Sequence, residues 1–297
     1  YNERMDGIRA NIMNTTPFIS HLLTSKGRNL VLDAPKIMAI LNCTPDSFFD
    51  GGRHATIQAA AKQGLDLLDQ GAHILDIGGQ STRPGASHVG AAEEWNRIGG
   101  VIEEILLHKP DTWISVDTFH AEVAQRALQA GAAMINDVSS GTMDPSMFAV
   151  VAENKVPLVL MHMQGTPETM QHEPRYENVV DDVYYWLEKR VKAALSAGIH
   201  DVIVDVGFGF GKTLEHNYAL LASLNSFHAL HVPVMAGVSR KSMIWKALNG
   251  TPESALNGTT ALHAWALEGG AHLLRVHDVI EAKETVALHA MLRPRRP

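Results

Sequence analysis

Eight segments of this chain end in residues whose types could do chemistry. They carry Asn42 before CTPDSFFDGG, Asp76 before GGQSTRPG, Asp117, Asn136, His162 between two methionines, Asp205 before GFGFGKT, the run SRKS at 239–242, and Arg275 with His277. Arg83, Lys241, Arg275 and His277 are cations or can become so, and Ser239 and Ser242 flank the lysine where a helix begins. Such donors, beside the partial positive charge of a helix N-terminus, suit a phosphate. Asp117, Asn136 and Asp205 instead offer acceptors and an amide, matching the adjacent N–H donors along the edge of a pterin or purine. A hard cation such as Mg2+, held by Asn42 and phosphate oxygens, fits better than zinc, because HExxH, CxxC and clustered His/Cys spacings are missing. Each residue alone has an ordinary reading. A strand-end Asp more often caps a helix, a lone histidine among 16 is core or surface, and Arg275 is a salt-bridge partner. The functional reading requires all of them to meet on one face.

A repeated phrase supplies the means. LDQGAHILDIGG (68–79), LQAGAAMINDVSS (128–140), LSAGIHDVIVDVG (195–207) and LEGGAHLLRVHD (267–278) each read as a helix stopped by glycine, then a buried strand. KIMAILN (36–42), WISVD (113–117), PLVLMHM (157–163) and PVMAGVS (233–239) add four more strands, apolar enough to be buried on both faces. Helical spacing recurs at 57–68, 92–107, 123–128, 146–154, 178–196, 215–229, 254–268 and 279–291. Eight strands alternating with eight helices predict an α/β fold, a single (β/α)8 TIM barrel with ligands at the strand carboxyl ends. Residues 18–35 are expected as a short N-terminal segment closing the bottom. A doubly wound open sheet is the alternative. One domain is expected over 18–297, and 1–17, opening on Tyr1, read as a disordered or cloning-derived extension.

Composition bounds the partners. The formal charge of −7 argues against general nucleic-acid or anionic-membrane binding, while leaving room for an anionic substrate in a locally cationic pocket. No apolar run approaches the ~20 residues of a membrane span, and no signal-peptide pattern opens the chain. The lone cysteine, Cys43, excludes an intrachain disulfide, points to the cytoplasm, and reads as a small apolar filler rather than a reactive thiol. GFGFGKT imitates a phosphate loop, but Gly207 and Gly211 are one position too close, and the dinucleotide pattern fails too. Its glycines read as letting a loop approach a ligand, with Phe208 or Phe210 presenting an aromatic face.

Taken in order, LNCTPDSFFDGG, DIGGQSTRPG, ISVDT, IND, LMHMQGTP, GFGFGKT, SRKSM and RVHDV resemble the dihydropteroate synthase family, across residues 36–280. The resemblance implies a TIM barrel, a homodimer, Mg2+, and condensation of 6-hydroxymethyl-7,8-dihydropterin diphosphate with p-aminobenzoate. Carried over by position, Asp117, Asn136, Met161, Asp205 and Lys241 look like pterin contacts. Asn42, Thr82, Arg83, Arg275 and His277 look like diphosphate contacts, with Asn42 toward the metal. Thr82, Pro84, Phe210, Lys241 and Ser242 resemble the p-aminobenzoate pocket. Asp46, Lys241, Arg275 and His277 are the expected catalytic group, with Asp46 and Phe48 closing over the reacting centre. Two departures are Val206, where proline usually follows the aspartate, and Cys43, where an apolar residue is usual. The rivals are a methyltetrahydrofolate:corrinoid methyltransferase, which has no need of STRPG and SRK, and a catalytically silent pterin- or phosphate-binding barrel.

Overall fold

A computed structural model describes residues 18–44, 52–80, 89–166, 170 and 174–292. The first elements are two antiparallel strands, β1 (His21–Ser25) and β2 (Arg28–Leu32), paired with Ser25 opposite Arg28. Lys26 and Gly27 turn between them with φ of 50° and 79°. Two positive φ values in a two-residue loop match the right-handed twist of a tight hairpin.

Eight parallel strands follow: β3 (Lys36–Asn42), β4 (Ile74–Gly78), β5 (Trp113–Asp117), β6 (Met134–Asp137), β7 (Leu158–Met161), β8 (Val202–Asp205), β9 (Val234–Ala236) and β10 (Leu273–Val276). They close in chain order, β10 pairing back onto β3 with Leu273 beside Lys36. The connecting helices are α1 (Gly52–Gln70), α2 (Ala91–His108), α3 (Ala121–Gln129), α4 (Met147–Asn154), α5 (Val179–Ser196), α6 (Leu214–Ala222), α7 (Ser242–Ala247), α8 (Leu256–Glu268) and α9 (Val279–Leu292). The (β/α)8 barrel is therefore the architecture, and the open sheet is excluded.

Alternation along each strand sorts its side chains between two cores. Leu41, Ile77, Val116, Ile135, Leu160 and Val204 pack outward with the helices, for example against Ile98, Ile102 and Leu187. Met38, Ile74, Trp113, Met134, Val159, Ile203, Met235 and Leu273 pack inside as an apolar lower layer. Leu23 and Leu32 of the hairpin join that layer, so the N-terminal segment does plug the bottom. The plug is fastened by polar contacts: Thr24 donates through its amide and hydroxyl to Asp201 Oδ2 at 2.8 and 2.6 Å. Arg28 donates to the Thr112 and Gly131 carbonyls, and Lys26 to that of Leu128.

Boundaries differ from expectation in three places. β7 stops at Met161 and β9 at Ala236, which leaves His162 and Ser239 in loops. The helix expected over 215–229 breaks at Ser223 into α6 and a 3-10 segment, Leu224–Leu230. The helix opening on Ser242 is only six residues long.

Candidate active site

Above the apolar layer the barrel interior turns polar, and one ion-pair network organises it. Asp76, on β4 with two residues of chain per layer, sits one layer below the strand end and is 0% exposed. Its Oδ2 accepts from Asn136 Nδ2 at 3.0 Å and from Arg275 Nε at 2.6 Å. Arg275, on β10 across the closure of the barrel, also donates from Nη2 to Asp117 Oδ2 at 2.6 Å. Asp117, the last residue of β5, and Asn136, the penultimate residue of β6, are in register, so an acid and an amide stand side by side. Burial pushes Asp117 up to about 7; Arg275 opposes that shift, and Asp76 adds to it. Arg275 is held above its ordinary value: burial works against its charge, but Asp76 and Asp117 outweigh it.

Asp205, Lys241 and Asn42 lie at the same mouth. A side chain at Gly237 would begin 3.5 Å from Asp205 Oδ2, 3.7 Å from Lys241 Nζ and 3.9 Å from Arg275 Cβ. Glycine there leaves open the space between one acid and two cations. A side chain at Gly78 would likewise begin 3.5 Å from Asp117 Cβ and 3.9 Å from Asn42 Oδ1, which places Asn42 beside the acid–amide pair. Lys241 donates to the Phe208 carbonyl and lies 4.8 Å from the Phe210 ring centroid, a cation–π contact. Burial lowers its pKa to about 8, with Asp205 opposing the fall. His277 contacts Ser239 Oγ through Nδ1 at 3.0 Å. Ser242 opens α7 next to Lys241. Met161 joins Phe119, Val138, Met163 and Met170 in an apolar cluster against which Phe210 packs, so the Lys241 charge over the Phe210 ring adjoins it.

The GFGFGKT loop earns its shape from backbone geometry. Gly207, Gly209 and Gly211 have φ of 72°, 82° and 60°, values that favour glycine, on alternate residues. A side chain at Gly207 or Gly211 would strike the carbonyls of His162 or Gln164, so these two glycines admit the neighbouring loop, whereas one at Gly209 would begin 3.5 Å from Lys241 Cδ. Asp205 Oδ1 accepts from Gly207 N at 2.8 Å, and Asn217 Oδ1 from Gly209 N at 2.6 Å. Phe208 is buried in the outer core, which leaves Phe210 as the aromatic face.

Two residues of this region escaped sequence reasoning as functional candidates. Asp76 was visible as a strand-end acid, but grouping residues by charge hid its tie to both Asn136 and Arg275. Lys212, set aside with the false phosphate loop, donates to His162 Nδ1, the His162 carbonyl and the Phe210 carbonyl at 3.0, 3.3 and 2.9 Å. These three acceptors match the three protons of an ammonium, while burial lowers its pKa well below the usual value. The pair also leaves His162 depressed to about 2, through burial first and Lys212 second. Asp46, Phe48, Thr82, Arg83 and Pro84 lie outside the described residues. Cys43 is buried, and burial pushes its thiol up to about 12, so it packs rather than reacts. Val206 is fully buried in the outer core.

A family model described as pterin binding enzyme matches residues 38–277. The chain is 44% identical over 266 residues to the dihydropteroate synthase of Escherichia coli strain K12, covering 89% of this chain and 94% of that one. Among solved structures, Xanthomonas albilineans dihydropteroate synthase with 4-aminobenzoic acid matches with a TM-score of 0.87 and 43% identity, over 94% of this chain and 100% of that one. The same organism's dihydropteroate synthase in complex with 7,8-dihydropteroate matches with a TM-score of 0.83 and 41% identity, over 93% and 100%.

Proposed function

We infer the chemistry from one premise: the chain belongs to the pterin-binding enzyme family. It condenses 6-hydroxymethyl-7,8-dihydropterin diphosphate with p-aminobenzoate, giving 7,8-dihydropteroate and diphosphate in folate biosynthesis. The observation that carries the residue-level reading is the single mouth shared by Asp117, Asn136, Asp205, Lys241 and Arg275.

In that reading Asp117, Asn136 and Asp205 hold the donor edge of the pterin, Met161 packs on its face, and Lys241 borders both substrates. A C–N bond forms to the aniline nitrogen, the C–O bond to diphosphate breaks, and the amine releases a proton. The dihydropterin ring is electron-rich, so departure of diphosphate can run ahead of attack and leave a cation spread over the ring. Asp117 and Asp205 stabilise that cation, while His277 and the outer edge of Arg275 face the departing anion. Lys241, over Phe210, orients the p-aminobenzoate, whose weakly basic amine needs positioning more than deprotonation. No enzyme nucleophile is required.

Among the described residues no group of three His, Cys, Asp or Glu side chains could hold a metal unaided. The donor set fits a substrate-borne ion instead: Asn42 Oδ1 beside Asp117 would complete the coordination of a Mg2+ held mainly by diphosphate oxygens. Bound there, Mg2+ supplies neutralisation of the leaving group. No helix among the described residues is long and apolar enough to cross a membrane; the lone buried thiol supports a cytoplasmic setting.

Mixing both substrates and following diphosphate release tests the reading. Release that requires p-aminobenzoate is expected. A corrinoid methyltransferase or a silent binding barrel would release none.

A further inference from the structure

We propose that Asp76 is a positioning residue, which fixes the hydrogen-bonding groups that Asn136 and Arg275 turn toward the substrate. The proposal rests on the reading of Asn136 as a pterin contact. Asp76 is completely buried one layer beneath the strand ends, so it acts through the side chains above it.

Its chemistry dictates theirs. A carboxylate accepts hydrogen bonds and cannot donate them. Asn136 must therefore turn its amide nitrogen down to Asp76, at 3.0 Å, and its carbonyl oxygen is the atom left for the mouth. The same Oδ2 takes Arg275 Nε at 2.6 Å, which sets the plane of the guanidinium so that Nη2 meets Asp117 Oδ2. One oxygen of Asp117 is occupied and the other remains. Asp117 and Asn136 are register neighbours. With Asp76 in place the pair presents two acceptors side by side, so the site selects a ring edge with two adjacent donors. Without Asp76 the amide is free to flip, and half of that selectivity goes. Asp76 Oδ1 has no hydrogen-bond partner, so the residue's bonding is concentrated in the one oxygen that binds both neighbours.

Steady-state kinetics test this. Asp76→Ala is expected to raise KM for the dihydropterin diphosphate about tenfold or more and to leave KM for p-aminobenzoate within about twofold. Asp76→Asn keeps an accepting oxygen, with its amide nitrogen at the position that lacks a partner, and is expected to recover most of the pterin KM. On an Asn136→Ala background, Asp76→Ala is expected to raise the pterin KM by a clearly smaller factor than it does alone, because one of the two groups it positions is gone. A normal pterin KM in Asp76→Ala, an equal rise for both substrates, or full multiplication in the double variant overturns the proposal.

If Asp76→Ala does not fold, Asn136→Asp serves instead. It sets a second carboxylate against Asp76, so its pterin KM should improve, relative to wild type, as pH falls and the pair shares a proton. A pH-independent ratio overturns the proposal. An unchanged pterin KM in Asn136→Ala would remove the site reading itself, and this inference with it. A normal KM in Asp76→Ala beside a raised one in Asn136→Ala removes only the positioning role.

Discussion

Arg275 was grouped by sequence with the cations awaiting a phosphate, yet its Nε and Nη2 are committed to Asp76 and Asp117. Its loss therefore does two things. Arg275→Ala should lower turnover by ~10²–10³, as loss of one charge contact in a water-poor site commonly does. It should also lower stability by about 3–5 kcal/mol, because two buried carboxylates are left without their cation. Urea unfolding beside kcat measures both, and an unaltered midpoint would contradict the bridge. Asp117 near 7 and Lys241 near 8 set a second expectation. The productive site needs Asp117 ionised and Lys241 charged, so kcat/KM should rise through about 7 and fall through about 8. Lys241→Arg should move the alkaline limb upward, in a pH–rate profile of the free enzyme, whatever it does to the maximum.

At the scale of elements, the barrel was legible because eight apolar runs and four Gly-stopped helices repeat one phrase. The hairpin was not: residues 18–35 read only as a plug, although the Lys26–Gly27 step carries its turn. The pairing of Arg275 with Asp76, 199 residues away, was beyond reach, since closure of β10 on β3 decides it and no local pattern encodes it. The hairpin's attachment has its own pH dependence. His272 accepts from Val234 N through Nδ1 at 3.1 Å, and Nε2 faces the Ile19 carbonyl at 2.9 Å, so it must be neutral. Burial lowers its pKa to about 4. Below about 6.5 the unfolded chain takes a proton that the native state refuses, so this stability is full above 6.5 and lost as pH falls toward 4. Asp117 and Glu94, both raised to about 7 by burial, act in the opposite sense over that range. The readout is thus the difference from His272→Gln, which cannot take the proton. Its urea-derived stability should fall less steeply between pH 7 and 4.5, by about 2 kcal/mol.

The molecule as a whole exposes several large apolar side chains on its last two helices. Trp265 on α8, and Ile280, Leu288, Met291 and Leu292 on α9, are each at least half exposed. Exposed apolar side chains on two packed helices support the homodimer expected from the resemblance. Sedimentation should give twice the chain mass, and Trp265→Glu with Leu288→Glu should give monomers with the barrel's circular dichroism intact. A monomeric wild type at micromolar concentration would count against it.

The barrel's mouth also combines thioether and aromatic groups with ions, Lys241 lying over the Phe210 ring. A planar guest entering it sheds ordered solvent from one face while its rim trades water for carboxylate and amide oxygens. Calorimetric titration should then become steadily more exothermic on warming, the mark of a negative heat-capacity change. Exchanging Met161 for Gln should flatten that temperature slope more than it weakens the binding.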